Sequence, residues 1–369
     1  MAVLLVLLAT MAGHCQSAAT VNVAVNQPGA VVSSNLFGIF FEEINYAGDG
    51  GIYGEMVRNR SFAQSSNPDY WTLVTSGTAQ GSMTVDSTQP LNTNLLSSLK
   101  LTLSSGSGSV GAANSGYWGM ALQSGAAYHL SFYAAAPTGF SGSITAKLEN
   151  AAGTVVYAQS AFGGLSGSWQ KYSASLVSSA TDTNAQLVLS ISQSGSVWLD
   201  MVSLFPAATF DNRTNGLRAD LANLLAALHP SFMRYPGGNF IEANQLVNSV
   251  RWKKTIGDVA RRPGHQNDAW GYWSTDGYGF DEYARQCEDM GMHLLYGINA
   301  GLALGYNGST NNTVPLDQMG PWVQDALDLI QYANGDTNTT WGALRAANGH
   351  PAPYNLQYME IGNENGGSY

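Results

Sequence analysis

Charge is scarce in this sequence. Only 11% of its 369 residues are Asp, Glu, Lys or Arg, against a usual share of about 25%. Cations are the rarer sign, with 15 Lys and Arg against 25 Asp and Glu and a net charge of −10. That balance argues against nucleic acid as a partner, because phosphate binding needs clusters of Lys and Arg. Cysteine is nearly absent, with only Cys15 and Cys287. The apolar run at residues 3–12 is shorter than the roughly 20 residues a bilayer-spanning helix needs, so no membrane span is expected. Scarce charge does not imply disorder here. The chain is 44% hydrophobic with a mean hydropathy of −0.08, as globular chains are. What it has in quantity is Gly (42), Tyr (18) and Trp (9). That composition reads as β-rich and extracellular, and the length suits two or three domains.

Residues 1–19 read as a secretory signal peptide. The run VLLVLLATMA is followed by Ser17-Ala18-Ala19, with cleavage expected near Ala19. No Lys or Arg precedes the run, and His14 before Cys15 does not fit a lipoprotein anchor. Cleavage leaves Cys287 alone, so no intrachain disulfide can form. Five N-x-S/T triplets, at Asn59, Asn212, Asn307, Asn311 and Asn338, are candidate glycosylation sites. Together these features place the protein outside the cell.

The chain divides by its periodicity. Residues 73–205 carry only seven charges and alternate with period two, as at Leu99, Leu101 and Leu103 or Leu187, Leu189 and Ile191. Tyr128 to Ala134 and Ile144 to Leu148 alternate similarly, and Gly/Ser clusters separate the runs. This predicts an antiparallel β-sandwich. From about 211 the period becomes helical. Leu217, Leu221, Leu224, Leu225 and Leu228 share one helical face, as do Phe280, Tyr283, Ala284, Cys287 and Met290, and Val323, Ala326, Leu327 and Ile330. Between these helices lie candidate strands at Phe232 to Arg234, Leu294 to Ile298 and Tyr358 to Ile361, with an earlier one at Phe37 to Phe41. Alternating strand and helix predicts parallel α/β. The fold class is therefore α/β, a partial (β/α)8 barrel of about four strands with the sandwich inserted after the first. A whole barrel takes about 250 residues, more than the parts at 20–72 and 206–369 supply.

Polar residues gather after the candidate strands: Glu42-Glu43, Asn239, the aromatic loop Trp270 to Tyr278, and Asn363-Glu364. In a barrel such loops converge on one pocket. Carboxylates act as general acids and hydroxyl acceptors, amides bind hydroxyls, and aromatic faces pack on sugar rings. Helix capping explains one acidic residue at a strand end, whereas four such loops point to a shared site. Glu360 lies about 13 Å from Glu364 along a straight strand, too far for a retaining carboxylate pair. The run Gly106 to Gly111 matches G-x-G-x-x-G by letter, but no helix follows it. The six His are scattered without H-x-x-x-H spacing, so neither metal nor other cofactor is expected. Tyr117, Trp118, Trp169 and Trp198 are candidate sugar contacts in the sandwich, or else core.

The segments FGIFFEEINYAGDGGIYGEMVRNRSF (37–62), RYPGGNFIEAN (234–244), WGYWSTDGYGFDEY (270–283) and YMEIGNENGG (358–367) resemble glycoside hydrolase family 51, the α-L-arabinofuranosidases. ANSGYWGM (113–120) is similar to the inserted carbohydrate-binding-like sandwich of eukaryotic-type members. The resemblance implies that Glu364 is the general acid/base and that Asn363 holds the sugar 2-hydroxyl. It implies that Glu42 and Asn239 bind arabinofuranosyl hydroxyls and that Trp273 walls the pocket. The expected substrate is an arabinose-containing plant cell-wall polysaccharide, such as arabinoxylan, arabinan or pectin. The family's nucleophile lies on a seventh strand, beyond the residues given, so a front portion of a longer protein is expected. Two alternatives stay open: a catalytically silent sugar-binding fragment, and a related retaining activity such as β-xylosidase or endoglucanase.

Overall fold

The computed structural model describes residues 20–305 and 313–365. The expected signal peptide and the candidate sites Asn307 and Asn311 lie outside them. Four short strands form one parallel sheet in chain order: β1 (Ile39–Phe40), β13 (Phe232–Tyr235), β16 (His293–Ile298) and β17 (Tyr358–Ile361). Ile39 pairs with Met233, Phe232 with His293, and Leu295 with Tyr358. Each strand is added beside its predecessor, the order in which a (β/α) barrel grows. The helices α1 (Ala219–Ala226), α2 (Gly238–Glu242), α3 (Phe280–Met290), α4 (Gly320–Asn334) and α5 (Thr340–Ala347) lie between the strands.

The α3 helix follows its sequence period. Phe280, Tyr283, Ala284 and Cys287 are buried against the sheet, and Gly291 ends the helix at φ 68°. A side chain is disfavoured in that left-handed conformation. Two other helical faces differ from expectation. In α4 the buried residues are Leu329, Tyr332 and Ala333, while Val323, Leu327 and Ile330 are exposed. Tyr332 decides this face, since its hydroxyl donates to Asp281 (2.8 Å) and its ring packs on Trp252. The α1 helix has only two turns. Leu217 precedes it and is buried, whereas Leu224 and Leu228 are exposed.

Between β1 and β13 the chain forms the sandwich. One sheet runs β10 (Gln170–Val177), β7 (Ala127–Ala135), β12 (Gly195–Pro206), β4 (Ser98–Ser105) and β3 (Gln80–Asp86). The other runs β2 (Trp71–Thr75), β5 (Val110–Asn114), β11 (Asp182–Ile191), β8 (Ile144–Asn150) and β9 (Val156–Phe162), with β6 (Met120–Leu122) also on β11. The alternating residues Leu99, Leu101, Leu103, Leu187, Leu189 and Ile191 all enter one core, as period-two patterning requires. Residues 106–109 of the glycine run form the turn between β4 and β5, and Val110 and Gly111 begin β5.

A buried ion pair joins the two parts. Glu55 accepts from the Leu204 N–H (2.9 Å) and the Ser203 hydroxyl (2.6 Å), both in β12, and pairs with Arg60 at 3.3 Å. A buried carboxylate persists only when its oxygens are satisfied in this way. Asn59 beside it corrects one expectation. It is buried and its amide donates to the Asp69 carbonyl (3.0 Å), leaving no room for a glycan. Asn212 and Asn338 are exposed.

Candidate active site

The Phe41 N–H donates to the Arg234 carbonyl at 2.9 Å, which carries the chain past β1 and sets Glu42 above the sheet. Glu42 is buried. Its Oε1 accepts from the Phe240 N–H (2.9 Å) and from the Trp270 indole N–H (2.8 Å). Burial raises its pKa, opposed by those two donors and by the Arg234 charge. Gly238, at φ 61°, faces this carboxylate so closely that a Cβ would collide with it. Asn239 follows in the first turn of α2 and is half-buried.

Arg234 on β13 links the two sides of the site. Its guanidinium bonds Glu360 through Nε and Nη2, the latter at 2.7 Å, and also donates to Asn363 Oδ1 at 2.7 Å. Glu360 is thereby committed to an ion pair, in keeping with a structural role. Asn363 is buried just past β17. Its N–H donates to Glu242 Oε1 (2.6 Å), and its Nδ2 has no partner among the described residues. An unpaired buried amide is costly, which distinguishes this one from the paired Asn299 and Asn267 amides nearby. Glu364 follows, exposed and in the left-handed region at φ 53°. Strain of that kind in a residue other than Gly concentrates at functional positions.

Sequence reasoning missed Glu242. It is fully buried at the end of α2 and accepts from Asn363 N–H and from Asn299 Nδ2 (2.8 Å). Burial pushes its pKa up to about 7 against the donors around it, and the Glu360 charge adds to the rise. The signal was present, because Glu242 lies three residues after Asn239 and so on the same side of a helical turn.

The aromatic loop also differs from expectation. It belongs to the connection between β13 and α3, where β14 (His265–Asn267) and β15 (Tyr272–Ser274) form a hairpin. The loop of the third sheet strand, β16, instead begins at Asn299. Trp270 reaches Glu42. Trp273, the expected pocket wall, packs over Gly264 and borders a small void with Tyr46, Arg58 and Tyr117. Tyr272, between them, donates to Glu43 (3.0 Å). Glu43 is itself buried, its pKa raised well above the usual range by burial and by Asp49. A cleft of about 490 Å³ lies along α3, lined by Arg213, Arg262, Asp281 and Arg285 among others, and none of the strand-end residues borders it.

Polar side chains gathered after the ends of parallel strands, with an inserted β-sandwich, define a partial (β/α) barrel carrying a second domain. A profile described as "Alpha-L-arabinofuranosidase 1 domain" matches residues 224–369, and one described as "Carbohydrate binding domain" matches 54–195. The chain is 37% identical to α-L-arabinofuranosidase 1 of Arabidopsis thaliana, over 93% of this chain and 51% of the relative. It is 36% identical to α-L-arabinofuranosidase A of Aspergillus niger, over 95% and 55%. Against an extracellular exo-α-L-arabinofuranosidase of Streptomyces chartreusis it is 36% identical, over 97% and 44%. An arabinose-bound family 51 α-L-arabinofuranosidase structure superposes with a TM-score of 0.84 at 36% identity, over 92% of this chain and 55% of that one. Over nearly its whole length the chain is a homologue of the α-L-arabinofuranosidases of glycoside hydrolase family 51. It spans about half the length of the curated relatives it matches.

Proposed function

We propose that these residues form the arabinosyl-binding part and supply the acid/base of a secreted, retaining α-L-arabinofuranosidase. Its substrates are terminal non-reducing arabinofuranosyl groups of arabinoxylan, arabinan and pectin. The observation that carries this reading is Asn363. Arg234 fixes its carbonyl and Glu242 its N–H, so its free amide nitrogen donates to a sugar hydroxyl beside Glu364. Glu42 and Asn239 hold further hydroxyls, and Glu364 protonates the leaving oxygen. The relative named as extracellular and the arabinose-bound structure support the location and the sugar.

A retaining enzyme needs a second carboxylate about 5–5.5 Å from the first. Glu42 is held by Trp270 and Phe240, Glu360 by Arg234, and Glu242 by two amides, and none of the three is proposed for that role. The resemblance to family 51 implies a nucleophile on a seventh strand, beyond the residues given. A chain that binds arabinosyl groups without cleaving them is the second reading, favoured by the ion pair and hydrogen bonds that occupy Glu360, Glu42 and Glu242.

The test of the role assigned to Glu364 uses a chain extended past residue 369 and turning over aryl α-L-arabinofuranosides but not aryl β-xylosides. Glu364→Ala should lose more rate on arabinoxylan than on substrates with good leaving groups, and azide should restore rate. Equal losses on both, with no azide rescue, would remove Glu364 from the acid/base role.

A further inference from the structure

The loop that follows β5, residues 115–119, brings the sandwich against Gly50 and Tyr46, in the segment that follows Glu42 and Glu43. Asn114 fastens it: its amide donates to the carbonyls of Arg58 (2.9 Å) and Tyr70 (3.2 Å), and its Oδ1 accepts from the Arg58 N–H (3.3 Å). The Tyr117 ring closes over Gly50, which sits at φ 82° and where a Cβ would strike the ring. These contacts fix Trp118, which is 68% exposed. Single exposed aromatics are common on protein surfaces, but this one is built in. Tyr46 meets its ring edge-on at 5.8 Å, and Tyr117 lies at 5.9 Å.

Tyr46 connects Trp118 to the site. Its ring stacks on Tyr272 at 4.0 Å, and its N–H donates to the Tyr272 hydroxyl (3.0 Å), which in turn donates to Glu43, the neighbour of Glu42. Asn45 and Tyr46 are both left-handed, at φ 53° and 58°. Two consecutive residues other than Gly in that region mark a strained turn, held by Arg58 over the Tyr46 ring at 4.6 Å. Strain, pinning and an exposed indole therefore coincide at the rim of the site.

We infer that Trp118, braced edge-on by Tyr46, is a stacking platform for a sugar ring of the polysaccharide main chain, the part of the substrate to which the arabinosyl group is attached. The inference rests on the arabinosyl reading of the adjoining site. A flat indole offers a large apolar area at low entropic cost and suits the C–H face of a sugar ring. The platform is supplied by the inserted domain, so the sandwich selects polymer over free glycoside.

Affinity electrophoresis of the purified chain through gels containing arabinoxylan tests this. The wild type should be retarded. Trp118→Ala should weaken the apparent affinity tenfold or more, and Trp118→Phe should restore much of it. Trp118 is exposed, so both variants should melt with the wild type. Retardation of Trp118→Ala equal to wild type, or no retardation of wild type, would overturn the platform. Loss in Asn363→Ala but not in Trp118→Ala would keep the arabinosyl site and overturn the platform. Loss in Trp118→Ala but not in Asn363→Ala would keep the platform and overturn the arabinosyl reading.

Discussion

Replacing Glu242 by Gln isolates the charge most tightly bound to the candidate site. Glu242 titrates near 4.5 when exposed and near 7 when folded, because burial outweighs the amide donors facing it. The folded state therefore binds more protons than the unfolded state between those values. Its contribution to stability is fully present below pH 4.5 and is lost as pH rises through 7. A rise from 4.5 to about 7 corresponds to about 3 kcal/mol. Glu42, Glu43, Glu55 and Asp200 are raised as well, so the wild-type pH profile alone does not single out Glu242. The difference between wild type and Glu242→Gln does. Urea unfolding at intervals from pH 4 to 8 should show the wild type losing about 3 kcal/mol relative to the variant across that range. A difference that stays flat would mean that the donors balance burial, and one that moves in favour of the wild type as pH rises would mean that they outweigh it.

Gly238→Ala should drive a methyl group into the Glu42 carboxylate at a positive φ; the expected result is about 1–3 kcal/mol of lost stability with loss of L-arabinose binding, measured by urea melts and titration. Arg234→Ala leaves Glu360 and the Asn363 carbonyl unpaired and should cost about 1–3 kcal/mol, with Arg234→Lys intermediate because a single ammonium cannot reproduce the fork. Mass spectrometry after expression in a glycosylating host should find glycan on Asn212 or Asn338 and none on the buried Asn59.

Local pattern revealed the elements better than it revealed which side chains meet. The leucines at 99, 101 and 103 fall on one face of β4 because a strand alternates strictly, and Gly291 ends α3 because only the left-handed turn lets the chain return into β16. The four parallel strands were legible from apolar runs between helical periods. The inward face of α4 was not, because Tyr332 is drawn in by Asp281 and Trp252, residues from elsewhere in the chain. The resemblance singled out Trp273, whereas it is Trp270, in the turn of the β14–β15 hairpin, that donates to Glu42. Glu242 read as one more residue of α2, and its importance comes from Asn363 and Asn299, which meet it only across the sheet. Asn59 matched a glycosylation triplet that reports nothing of burial.

Titration of the purified chain with L-arabinose, followed through the side-chain amide signals in nitrogen-15 NMR spectra, tests the central claim most directly. Asn363 Nδ2 has no partner among the described residues, so its signals should shift as the sugar binds. Asn363→Ala should weaken binding tenfold or more, equivalent to about 1.4 kcal/mol or more, while the fold remains intact. Amide signals unmoved at saturating sugar, or an Asn363→Ala variant that binds L-arabinose as the wild type does, would contradict the arabinosyl site.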